Sequence, residues 1–233
     1  MPMQTLLDAL QNALRLVVAL DANVAEYAAR SIFIASISTF IASLLGIPAG
    51  ILIAEHEFPG KRSVVTILNT LLAVPTVVVG LVVYTMISRS GPLGSLQLLF
   101  SVPGIIIGEV LLIAPIVTAF TVTAVSRTDR DVRRTALALG ASTGQAHWLV
   151  IRESRFGVLA AVIAAFGRVV SEVGVAMILG GNVDRFTRTV TTAIVLNVDM
   201  GDFALALALG IVLLSISLSI NVLFQYLQGG GRE

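Results

Sequence analysis

Apolar residues run through this chain in long blocks separated by short polar joints. Five blocks, roughly 28–54, 64–87, 103–125, 156–181 and 203–227, are long enough to cross a bilayer as helices, because a hydrocarbon core about 30 Å thick takes about 20 helical residues. The first three blocks contain Pro48, Pro75 and Pro115. A membrane bundle tolerates an internal proline when neighbouring helices satisfy the freed carbonyl, so each block is expected to be one span. The last block alternates along 204–209 and 215–220, as a strand would, but it is too long for one barrel strand and holds no turn. Wound as a helix it aligns Ala204, Ala208, Ser215 and Ser219, a small-residue stripe suited to close helix contact. Ahead of the spans, Leu6, Leu7, Leu10, Leu14 and Val17 share a helical face, with Asp8, Asn12 and Arg15 mostly off it. That predicts a short amphipathic helix at the membrane surface within residues 1–27. The early Asp8 and the lack of a basic start argue against a secretory signal.

Composition agrees with a membrane protein. Hydrophobic residues make up 56% and charged residues 12%, against about 45–50% and about 25% in soluble domains. The mean hydropathy is +0.95. With no cysteine, disulfides, thiolate metal sites and thiol nucleophiles are excluded. A net charge of +1 gives no support to nucleic-acid binding. No P-loop, H-E-x-x-H or G-x-G-x-x-G occurs, so no bound cofactor or metal is expected and any ATP must be held by another chain.

Orientation follows from the basic residues in the joints. With the N-terminus outside, Lys61, Arg62, Arg127, Arg130, Arg133, Arg134, Arg152, Arg155 and Arg232 lie inside, and Arg15, Arg30, Arg89, Arg185 and Arg188 outside. Nine against five places residues 126–155 and the 228–233 tail in the cytoplasm. Within this long inner joint, Asp129 to Leu139 reads as a helix, Gly140 as its terminator, and Ser142-Thr-Gly-Gln145 as the capping box of a second helix carrying Trp148. Such a hairpin either lies on the membrane with Trp148 at the interface or docks a soluble partner. Gly140-Ala-Ser142-Thr-Gly144 matches the serine-nucleophile pattern, but helix rather than strand precedes it and triad partners are lacking. Tethering at both ends also excludes a groove-reading helix-turn-helix.

Three ionisable residues fall inside apolar blocks: Glu109, Arg168 and Glu172. Charged residues there are costly and face partners or water. Arg168 and Glu172, four apart on one expected helix, form either a packing pair or part of an anion pathway. Asn182, just beyond, is counted with them as a pathway residue. Glu109 is expected to snorkel from near a span end. Ala160, Ala164, Gly167, Ser171 and Gly174 form a seam for core packing or for a dimer contact.

The hairpin resembles the cytoplasmic motif of ABC importer permeases, in which Glu-Ala-Ala is followed by three residues, Gly, nine more and Ile-x-Leu-Pro. Arg134-Thr-Ala136, Gly140-Ala-Ser142 and Val150-Ile-Arg-Glu153 occupy its places, with Arg134 for the first glutamate and Arg152-Glu153 for the final Leu-Pro. Gly167-Arg168, Ser171-Glu172-Val-Gly174, Met177, Gly180-Gly-Asn182, Thr187-Arg-Thr189 and Thr191-Thr-Ala-Ile194 are similar to the tungstate-type branch. So are Arg152-Glu-Ser-Arg155-Phe-Gly157, Phe58-Pro-Gly-Lys61 and Gly91-Pro-Leu-Gly94. The resemblance covers roughly residues 30–226. It implies an all-α permease domain at 28–227, five transmembrane helices with a coupling hairpin, and Ala136, Gly140, Ala141 and Ser142 as ATPase-coupling residues. It further implies a homodimer, two ATPase subunits, an extracytoplasmic oxyanion-binding protein, and tungstate or molybdate as cargo. The competing reading is a secondary transporter or channel for a small anion. Against it, five spans cannot divide into equal inverted repeats and no broken-helix pair recurs in two halves. With one arginine and two glutamates, the spans hold too little to build a selective dianion cage, which needs several convergent N–H donors and no uncompensated carboxylate. Selectivity is therefore expected in the binding protein, docked on the loop from Asn182 to Asp202.

Overall fold

A computed structural model describes residues 22–229, with Gln11 and Arg15. The expected amphipathic face at Leu6–Val17 and the end of the tail lie outside the described residues. Helix α1 spans Ala22–Glu55, α2 Lys61–Leu71, α3 Thr76–Ile87, α4 Val102–Ala138, α5 Thr143–Glu153, α6 Arg155–Val170, α7 Gly174–Gly180, α8 Val190–Asp199 and α9 Phe203–Gly229. No strand occurs among the described residues, so the expected all-α class holds. Three helical stretches, Ala22–Glu55, Val102–Thr128 and Phe203–Val222, are long and apolar enough to cross a membrane singly. The bent pairs α2–α3 and α6–α7 bring the number to as many as five. Phe40, Leu44, Leu214 and Leu218 project unpacked from these helices, which suits lipid rather than water.

Several sequence expectations need correction. Pro48 and Pro115 do sit inside continuous helices, but Pro75 does not. It stands extended (φ −60°, ψ 131°) at the start of α3, where it can donate no helical N–H and disfavours helix at Val74. The expected second span is therefore a bent pair whose first member, α2, buries no residue. The fourth block also breaks, at Ser171–Val173, where the Ser171 hydroxyl bonds back to Gly167 O (3.0 Å) and Arg168 O (3.2 Å). The absence of broken pairs thus cannot serve against a transporter reading. The expected separate helix at Asp129–Leu139 is the end of α4, because neither glycine nor proline interrupts 116–138. Helix α8 was not foreseen; a box between Thr189 and Thr192 caps it.

The chain forms two compact units. The first holds the described residues up to Ser38, Pro75–Glu109 and those from Gly167 onward. Val24, Tyr27, Val190, Ala193 and Leu209 form one of its cores, and Ile34, Ile105 and Ala176 another. The second unit holds Thr39–Val74 and Val110–Phe166, with a core of Ala54, Val125 and Val150. Its α1 and α4 approach closely at Gly46 and Gly50: a Cβ on Gly50 would lie 2.6 Å from Thr121 Cβ. The α9 stripe only half packs. Ala208 is buried, whereas Ser215 and Ser219 are exposed and bond back to their own helix.

Candidate functional site

In the second unit, α4 ends in a Schellman turn. The Gly140 N–H bonds Leu137 O and the Ala141 N–H bonds Ala136 O, both at 3.0 Å, satisfying two terminal carbonyls. Gly140 has φ +89°, the left-handed region where a side chain is strained. Ser142 then caps α5: its hydroxyl accepts from Gln145 N (3.4 Å), and Gln145 Oε1 accepts from Ser142 N (2.8 Å). The four residues expected to couple, Ala136, Gly140, Ala141 and Ser142, thus come together in one turn.

The hairpin is also braced from below. His147 Nδ1 lies 3.1 Å from Glu55 Oε1 at the end of α1, and its Nε2 lies 3.4 Å from an Arg133 nitrogen on α4. A ring carrying its proton on Nδ1 satisfies both contacts. Ala146 and Val150 of α5 are fully buried. Sequence reading did not single out Glu55, Arg133 or His147 for this role, and their separations gave no signal. Trp148 stays 66% exposed and Leu139 83%, so the rigid turn presents an apolar tip.

In the first unit, Arg168 and Glu172 do pair, at 3.3 Å, but across the break after α6 rather than along one helix. Glu172 is buried and also accepts from the Gly174 N–H (2.8 Å), so it starts α7 as well as pairing. The Thr191 hydroxyl bonds Glu172 O at 2.7 Å, fastening this break to α8. The Arg168 side chain is 41% exposed. Glu109 does not snorkel. It is only 2% exposed and shares a small cavity with Glu172, Ser31, Thr189 and Thr191. Of the expected small-residue seam only Gly174 is tightly packed, a Cβ there falling 2.8 Å from Thr76 Oγ1. Ala160, Ala164, Gly167 and Ser171 are exposed, and a Cβ on Gly167 would meet nothing within 4 Å.

Asn182 is placed differently. With φ +50°, it accepts from Arg188 Nε (3.1 Å) and donates to Thr192 O (3.4 Å). Through these bonds it holds the 181–189 loop together. Arg188 also bonds Asp184 (2.9 Å) and the Tyr27 hydroxyl (3.2 Å), while Arg30 donates to the carbonyls of Arg185 and Arg188. The Tyr27 hydroxyl bond, with Arg188 adding to it, holds the Asp184 carboxyl below its ordinary 3.8.

A model of the "Binding-protein-dependent transport system inner membrane component" family matches residues 46–230. The chain belongs to this family. It is a multi-pass membrane permease of ABC importer type. The "Tungstate uptake system permease protein TupB" of Peptoclostridium acidaminophilum is 38% identical over 97% of this chain and 99% of its own length. The protein of the same description from Campylobacter jejuni is 37% identical over 95% and 92%. In fold, the permease is similar to a chain in the crystal structure of a bacterial ABC transporter involved in import of the acidic polysaccharide alginate. The TM-score is 0.73 at 16% identity, covering 100% of this chain and 91% of that one. Membership settles the choice between permease and secondary transporter or channel.

Proposed function

We propose that this permease imports tungstate, or the closely similar molybdate, driven by ATP hydrolysis on separate cytoplasmic subunits. The observation that carries the cargo is the pair of tungstate-uptake permeases, 37–38% identical over nearly the whole chain. A homodimer would give two hairpins for two ATPases and a pathway between chains. The exposed face of α6, with Ala160, Ala164, Gly167, Arg168 and Ser171, supports that arrangement. In it Arg168 attracts the oxyanion and Glu172 weakens its grip, since conduction needs weak binding, while Asn182 shapes the adjoining loop. Ala136, Gly140, Ala141 and Ser142 transmit the ATPase stroke. The N-terminus lies outside and the C-terminus inside, and an extracytoplasmic oxyanion-binding protein docks on 182–202. No cofactor is assigned to this chain.

The test is uptake by the assembled transporter in proteoliposomes with tungstate, molybdate, sulfate and phosphate in competition. Tungstate and molybdate should win, and the purified permease dimer alone should bind them no tighter than roughly millimolar. Preference for sulfate or phosphate would overturn the cargo. A micromolar site on the dimer would overturn the division of labour with the binding protein.

A further inference from the structure

A cavity of about 580 Å³ opens where the chain leaves α3 and turns toward α4. Its polar lining is Tyr84, Ser88, Arg89, Ser90 and Gln97, with Phe100 as a wall. No carboxylate lines it. Arg89 has no hydrogen bond or ion pair among the described residues, and the Ser88 and Ser90 hydroxyls approach only each other, at 3.5 Å.

This loop is built rather than slack. The Leu93 N–H bonds Met86 O at 2.9 Å and the Gly91 N–H bonds Ser88 O at 2.8 Å, folding the chain back over the end of α3. A Cβ on Gly91 would come within 2.3 Å of Thr85 O, so the Gly91-Pro-Leu-Gly94 stretch is required by the fold-back. Gln97 (φ +51°) and Phe100 (φ +58°) both hold left-handed backbone. Such strain in residues with side chains persists only where packing imposes it, and it gathers at ligand clamps. Here the packing is visible: the Phe100 N–H bonds Leu179 O at 2.8 Å, and a Cβ on Gly181 would strike the Phe100 ring at 2.6 Å.

A guanidinium fork, three hydroxyls and an amide around one cavity, with no carboxylate, match the donor set that oxyanions require. The Arg168 site fails that criterion because Glu172 is paired with it. The geometry points to a weak site for a tetrahedral oxyanion group at Arg89, Ser88, Ser90 and Gln97. The group comes either from a free oxyanion or from a phospholipid headgroup. Only the identity of the free ion as cargo rests on the import reading. With one exposed cation, affinity is on the order of millimolar.

The experiment uses the full chain in uncharged detergent. Sodium tungstate and sodium phosphate are titrated against sodium chloride at matched ionic strength, with thermal unfolding as readout. A second arm measures phosphatidylglycerol retained from nanodiscs by native mass spectrometry. Arg89→Gln is compared with Arg62→Gln, which removes the same charge from α2. Gln97→Gly relieves the strained backbone while deleting a donor, so it tests the site in a chain that folds at least as well. A saturable shift with tungstate or phosphate identifies a free oxyanion, and retained phosphatidylglycerol identifies a headgroup. Either response should fall at least tenfold in Arg89→Gln and clearly in Gln97→Gly, but persist in Arg62→Gln. No response in either arm, equal loss in Arg62→Gln, or full response in both site variants would overturn the proposal. Uptake by the wild-type transporter in those cases leaves the import reading intact.

Discussion

Replacing Gly140 tests the proposed mechanical role of the hairpin, because the site penalises backbone conformation and nothing else. A Cβ built there meets no atom within 4 Å, so there is no clash to confound the result. What remains is φ +89°. Holding an L-residue left-handed costs about 1–2 kcal/mol, less for asparagine and more for β-branched side chains. A cost of that size lowers the population of the formed turn about 5–30-fold. The Ala136–Ala141 and Leu137–Gly140 hydrogen bonds would open with it, releasing the start of α5 at Ser142. The lower contacts, His147 with Glu55 and Val150 in its core, lie a turn or more away and should survive. Gly140→Asn, →Ala and →Val should therefore lose transport and ATPase co-purification in that order, with unchanged membrane insertion. Uptake and ATPase retention are measured in the same proteoliposomes or membranes. Wild-type coupling in Gly140→Val, or losses that ignore the asparagine–alanine–valine order, would refute the reasoning.

Other expectations follow from the same contacts. Arg168→Met should destabilise the purified permease more than Arg168→Met with Glu172→Gln, since the single variant strands the buried Glu172 carboxylate; thermal unfolding in detergent reads the difference, expected at about 3–5 kcal/mol. Arg168→Met with Glu172→Gln should be stable yet slow in uptake, and full uptake would remove both from the pathway. In this cysteine-free chain, Gly144→Cys should resist an impermeant thiol reagent in intact cells while Met200→Cys reacts, and the reverse pattern would invert the topology. Because Asp184 is held below its ordinary 3.8, its contribution is complete above that value and fades as pH falls through the depressed one. Tyr27→Phe should move this acid-induced loosening of the 181–189 loop to higher pH, read by hydrogen exchange.

Local chemistry carried the hairpin. Gly140 and the Ser142–Gln145 box specify a turn and a cap from neighbouring residues alone, and the structure holds both. The long apolar blocks likewise fixed the helical, membrane-embedded class, because bilayer thickness and backbone satisfaction leave little choice. Continuity was not decided locally. Pro48 and Pro75 look alike in sequence, yet the first lies inside a helix and the second at a break. Which carbonyls find partners depends on neighbours distant along the chain. The fates of Glu109 and Asn182 were hidden for the same reason: one is buried in a cavity with Glu172, and the other is tied to Arg188 and Thr192. The Tyr27–Asp184 bond joins residues 157 apart, a separation across which no periodic pattern in the sequence carries information. Short-range hydrogen bonding and hydrophobic length are properties of the chain, whereas polar groups buried between helices acquire partners only when the helices pack.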